Sequence, residues 1–151
     1  MPTVGLNVEQ ITYRGHSFTL WDVSGQAIRL WKHYYDKINA IIFVIDSTDS
    51  QRLPKVNQLL NKVCQDRELG NAPILIFANK QDLSGCMTLE QLAEGIKLEE
   101  LKSKMAEQGI REVCFHGCSA MTGEGIWEGI GALQEVMDNY ENNNKGGESA
   151  R

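Results

Sequence analysis

The sequence predicts an α/β fold: a doubly wound, mostly parallel sheet with helices on both faces. Three observations predict it. The apolar runs Ala40 to Asp46 and Ile74 to Ala78 show no polar alternation, as strands buried on both faces require. Segments with apolar residues at helical spacing separate and follow these runs. Polar clusters come directly after strands, at the rim where open α/β sheets bind ligands.

Taken in order, Met1-Pro2-Thr3-Val4-Gly5 has no structured lead-in. Val8 to Tyr13 and Ser17 to Trp21 read as strands joined by Arg14-Gly15-His16, a hairpin signal. Asp22-Val23-Ser24-Gly25-Gln26 reads as a polar loop, and Ile28, Trp31, Tyr34 and Tyr35 recur at helical spacing. After the Ala40 to Asp46 strand, Leu53, Val56, Leu59, Leu60 and Val63 mark an amphipathic helix with Pro54 in its first turn. The Ile74 to Ala78 strand follows. Thr88 with Gln91 predicts a capping box, Lys97 to Glu107 a helix and Val113 to Gly117 a strand. Gly125 to Asn139 is the last predicted helix, with Ile126, Ile130, Leu133 and Met137 on one face. One domain over 1–139 is expected, then a disordered tail over 140–151.

Composition narrows the function. The chain has 151 residues, 42% hydrophobic and 23% charged, enough for one domain with a real core. A net charge of −5 disfavours nucleic acid as a partner. Ala40 to Ile45 is the longest apolar run and is too short to span a bilayer; no signal peptide opens the sequence. Cys64, Cys86, Cys114 and Cys118 show no C-x-x-C pairing, which fits reduced thiols in the cytoplasm. Cys114, His116 and Cys118 share a strand face, but no fourth ligand accompanies them, so a buried strand is the better reading than a metal site.

The chemistry centres on Asn79-Lys80-Gln81-Asp82 at the end of an apolar strand. The Asp82 carboxylate can accept two N–H bonds from the edge of guanine, the Asn79 amide can reach purine acceptors, and the Lys80 stem can lie along the ring. Adenine presents the opposite pattern and would leave Asp82 unpaired. Backbone N–H groups of Cys118-Ser119-Ala120 could close over the guanine carbonyl. Asp22, at a strand end, suits magnesium held directly or through water, and Thr3 offers a hydroxyl to the same ion. Gly25 allows close approach of a γ-phosphate, and Gln26 can orient an attacking water. Each cluster alone reads equally as a capped polar loop. Their order along one α/β chain favours a nucleotide site.

Pro2-Thr3-Val4-Gly5, Trp21-Asp22-Val23-Ser24-Gly25-Gln26, Asn79-Lys80-Gln81-Asp82 and Cys118-Ser119-Ala120 together resemble the Arf and Arf-like small GTPases, from residue 2 to about residue 138. Ser24, Leu30 to Tyr35 and Ile41 to Ser47 look nearest the ciliary Bardet–Biedl branch. The resemblance implies the P-loop small GTPase fold and a GTP-binding molecular switch in membrane or ciliary trafficking, with GTP or GDP and Mg2+ as cofactors. It implies that Thr3 binds metal and senses the γ-phosphate, that Asp22 and Gly25 contact metal and phosphate, and that Gln26 is catalytic. Asn79, Lys80 and Asp82 match the base readers. Leu6, Trp21 and Tyr34 fall where the family contacts effectors, with ordinary packing the competing reading for Trp21 and Tyr34. Effector proteins, an exchange factor and a GTPase-activating protein are the implied protein partners.

The sequence departs from that family in one large respect. No G-x-x-x-x-G-K-[ST] occurs, so the phosphate-binding loop, first strand and first helix are expected to be absent. In the family's strand order, that first strand lies between the strands ending at Asp22 and Asp46. Its absence would leave orphan backbone groups costing roughly 1–3 kcal/mol each if buried dry. Pro2 excludes N-myristoylation of this start, so membrane or ciliary attachment would need a missing N-terminus or a partner. The segment after Gln26 is also shorter than the family's. The leading reading is a GTPase represented without its phosphate loop, itself binding nucleotide weakly or not at all and inactive alone. The alternative is a nucleotide-deficient short form acting as a protein-interaction module.

Overall fold

The structure, a computed structural model, describes the backbone of residues 6–13, 16–23, 38–69, 72–107 and 112–149, and the side chains of 12, 38–69, 72–107 and 112–139. The chain forms two compact units, Met1–Lys37 and Ile38–Arg151.

In the first unit, β1 (Leu6–Tyr13) and β2 (His16–Val23) form an antiparallel hairpin, paired from Leu6↔Val23 to Tyr13↔His16. The strands extend beyond the Val8 to Tyr13 and Ser17 to Trp21 segments expected from sequence. Asp22, read from sequence as opening a loop, pairs with Asn7 inside the ladder, because continued pairing satisfies backbone groups at both ends. The helix expected over Ile28 to Tyr35 lies outside the described residues.

The second unit is built on three parallel strands in the order β3 (Ile41–Asp46), β4 (Ile74–Asn79) and β5 (Val113–Gly117). A 3-10 turn at Ser50–Arg52 leads into α1 (Leu53–Gln65), with Pro54 in the first turn where its missing N–H costs nothing. Leu60, Val63 and Cys64 form its buried stripe. Thr88 and Gln91 make both reciprocal bonds of a capping box and start α2 (Leu89–Gly95). Next comes α3 (Leu98–Glu107), which buries Leu98, Leu101 and Met105. Asn57 Nδ2 donates to the Ile96 carbonyl at 2.6 Å, tying α1 to the end of α2. The last helix, α4 (Ile126–Ser149), continues past Asn139; no proline interrupts it, and each added residue of a nucleated helix gains a bond.

β4 is the core strand. Ile74, Leu75, Ile76 and Ala78 are fully buried, so both its faces are covered. α4 packs on β4 and β5, and Gly129 approaches the Phe77 ring so closely that any Cβ there would strike it. The expectation that Ala40 to Asp46 is equally buried needs correction. Ile42 is 37% and Val44 59% exposed, whereas their register partners Leu75 and Phe77 are buried. Position explains the difference: among the described residues β4 has a strand on each side, while β3 has one on a single side, and α4 packs on the other two strands.

Candidate functional site

β4 delivers Asn79 as its last residue, and the chain then turns sharply through Lys80, whose φ of 66° is left-handed. That conformation costs a residue with a Cβ roughly 1–2 kcal/mol, and such strain gathers at ligand-binding turns. The Leu83 N–H donates to the Lys80 carbonyl at 3.1 Å and closes the turn, which presents Asp82 to solvent.

β5 ends beside it, and Cys118-Ser119-Ala120 follow. Two hydrogen bonds join the loops. Ser119 Oγ donates to Asp82 Oδ1 at 2.8 Å, and the Ala120 N–H donates to Asn79 Oδ1 at 3.0 Å. Ser119 is buried, and its Oγ also accepts the Thr122 N–H at 3.2 Å. The Ser119 N–H donates to the Glu124 carbonyl at 2.9 Å and the Gly123 N–H to the Ser119 carbonyl at 2.8 Å, which folds the loop back on itself. Gly125 has φ 80°, and a Cβ there would collide with the Gly117 carbonyl oxygen, so glycine is required where α4 begins against β5. Cys118 Sγ lies 3.7 Å from Asn79 Oδ1, and burial pushes its thiol pKa up.

These bonds fix which atoms remain to meet a ligand. Asn79 Oδ1 is occupied, leaving its Nδ2 hydrogens as donors; Asp82 Oδ1 is occupied, leaving Oδ2 as an acceptor without a partner among the described residues. An acceptor carboxylate beside an amide donor matches the edge of a heterocycle that carries N–H donors next to an acceptor, as guanine does. The donor set fits that base.

Asp46 adds a group that sequence reasoning passed over. It ends β3 in register with Asn79, and its Oδ2 lies 2.8 Å from Lys80 Nζ. Thr48 donates to Asp46 Oδ1 from its N–H at 2.9 Å and from its hydroxyl at 2.6 Å. Burial pushes the Asp46 carboxyl up, but the Lys80 ammonium and the Thr48 donors outweigh it and hold the pKa at about 2. The Asp46-Ser47-Thr48 run, an Asx-turn signature directly after an apolar strand, was the available signal.

Asn79, Lys80, Asp82, Cys118, Ser119 and Ala120 therefore gather at one rim of the three-stranded sheet. The remaining predicted residues are placed less fully. Thr3, Gly25, Gln26 and Tyr34 lie outside the described residues. Leu6, Trp21 and Asp22 are placed by backbone alone: Leu6 pairs with Val23, Trp21 with Val8 and Asp22 with Asn7. Among the described residues no cluster of His, Cys, Asp and Glu could hold a metal ion. Burial and the nearby Glu112 raise the Cys114 thiol pKa, and Cys118 sits one residue beyond β5.

Comparison with known proteins points the same way. The profile described as ADP-ribosylation factor family matches residues 1–137. ADP-ribosylation factor J of Dictyostelium discoideum is 40% identical over 141 residues, covering 92% of this chain and 71% of that protein. ADP-ribosylation factor K of the same organism is similar at 40% over the same coverage. Among solved structures, the Arl6 BBS3 small GTPase of Trypanosoma brucei with bound nucleotide analogue GppNp superposes with a TM-score of 0.80. It is 32% identical, and the match covers 92% of this chain and 83% of that one.

Proposed function

Because the chain belongs to the ADP-ribosylation factor family and has the small-GTPase fold, we propose that it supplies the guanine-reading part of a GTP-binding molecular switch. Residues 1–139 form one Arf-like domain in this reading. Asp82 accepts the base's N–H donors, Asn79 donates to its acceptors, Lys80 flanks the ring, and the Ala120 region meets the carbonyl. Thr3, Asp22 and Gly25 would hold Mg2+ and the γ-phosphate, with Gln26 orienting water. The bound GTP and its Mg2+ supply the phosphoryl chemistry; the residues here select and hold the base. Leu6, Trp21 and Tyr34 would meet effectors, and an exchange factor and a GTPase-activating protein would complete the cycle, in membrane or ciliary trafficking. No described helix is long and apolar enough to cross a membrane.

The observation that supports this reading best is the pair of bonds Ser119–Asp82 and Ala120–Asn79, which brings two sequence-distant motifs into one recognition edge. The chain lacks the G-x-x-x-x-G-K-[ST] sequence, so its own affinity for GTP and GDP is expected to be weak. The test is NMR titration with guanosine and adenosine at millimolar concentration. Guanosine should shift the Asp82, Ser119 and Ala120 amides and adenosine should not. Equal shifts from both would overturn the reading.

A further inference from the structure

Of the four residues Asn79 to Asp82, only Gln81 has no task in reading a base, yet it makes the widest set of contacts. Its backbone N–H donates to the Cys118 carbonyl at 3.1 Å. Its side-chain Nε2 donates to Ser47 Oγ at 2.8 Å and to the Met87 carbonyl at 3.4 Å, which uses both carboxamide hydrogens. Ser47 is fully buried, and its backbone continues the network: its N–H donates to the Asn79 carbonyl at 3.1 Å, and its carbonyl accepts the Met87 N–H at 2.8 Å.

A second observation is independent of these bonds. A Cβ at Gly117, the last residue of β5, would stand 3.5 Å from Gln81 Cγ and 3.0 Å from a Leu89 methyl. The Gln81 stem thus lies over bare backbone at the end of β5. One side chain spans the tips of β3, β4 and β5 and the segment entering α2.

We propose that Gln81 is a positioning residue of the base site. Its carboxamide sets the separation between the loop that carries Asn79 and Asp82 and the loop that carries Ser119 and Ala120, so that both meet one base edge together. This rests on the guanine reading above. Gln81 touches no ligand atom in this role; it acts through Ser47, Met87 and Cys118.

The test is amide hydrogen exchange on the whole chain. Exchange at Ala120 and Thr122 reports the coupling, because their N–H groups bond Asn79 Oδ1 and Ser119 Oγ. Gln81→Met keeps the stem and removes the donors. It should speed exchange at these two amides about tenfold, the worth of roughly one such bond, while core amides such as that of Ile76 keep their rates. Ser47→Ala should act in the same direction. The double variant should add little to Gln81→Met alone, since the bond that Ser47→Ala removes is one that Gln81→Met has already removed. Gln81→Glu replaces the donating Nε2 with an oxygen that can accept the Ser47 hydroxyl but faces the Met87 carbonyl; it should recover at most part of the protection and covers the case in which Gln81→Met does not fold. Unchanged rates at Ala120 and Thr122, or loss spread evenly over β4, would overturn the inference. A wild-type chain whose exchange ignores guanosine would instead overturn the guanine reading, so the two failures are read on different samples.

Discussion

Ser119 and Asp82 lie 37 positions apart in the chain, yet Ser119 Oγ donates to Asp82 Oδ1 at 2.8 Å across the rim of the sheet. The bond commits one carboxylate oxygen to the protein and aims the other outward. Ser119→Ala removes it and also strips the Thr122 N–H of its acceptor. The loss should be about 1–2 kcal/mol of stability, read as a lower urea midpoint at unchanged slope. A midpoint equal to wild type would mean that water replaces the hydroxyl without cost.

Asp82→Asn exchanges an acceptor for a mixed donor and acceptor. Preference for guanosine over adenosine should fall by roughly ten- to a hundredfold, because one base N–H would then face a donor. Xanthosine, which has a carbonyl in place of the exocyclic amine, should gain relative to guanosine. NMR titration with the three nucleosides checks this, and an unchanged order of affinities would remove Asp82 from base reading.

Acid should open the Lys80–Asp46 pair. The Asp46 pKa is lowered in the folded protein from 3.8 to about 2, so the stability it contributes is fully present above the unfolded value and lost as pH falls through the folded one. Both side chains are partly exposed, and the contribution should stay below about 1 kcal/mol. Asp46→Asn should therefore flatten the pH dependence of stability between about pH 4 and pH 2 and leave it unchanged near neutrality. The same slope in both proteins would assign the acid transition to other carboxyls.

Gly125→Ala should be among the most damaging single substitutions in the second unit. It places a side chain in a left-handed conformation and against the Gly117 carbonyl. A loss of at least about 1–2 kcal/mol is expected, with the largest amide shifts in Cys118 to Thr122. Shifts confined to α4 would show that the loop does not depend on this approach.

Much of this was legible in the sequence where local chemistry decides. The apolar period marked β4 and β5, Pro54 marked the start of α1, and Thr88 with Gln91 marked the cap of α2, because each signal concerns neighbours along the chain. Asn79, Asp82 and Ser119 were legible as polar groups placed directly after strands. Asp46, Ser47 and Gln81 were not, since their roles come from the parallel register that sets the ends of β3, β4 and β5 side by side. The exposure of Ile42 and Val44 was missed for a similar reason: hydrophobicity marks a strand as able to be buried, while its place in the sheet decides whether it is.

Those two aliphatic side chains limit how the protein behaves when concentrated. Ile41 to Ile45 is a neutral run without proline or glycine, on an edge strand whose only ladder neighbour among the described residues is β4. Such a rim is a template on which another extended polypeptide can grow. Crowded solutions should therefore drive this chain toward fibrils, and a lysine in place of Val44 would act as the gatekeeper that keeps it dispersed.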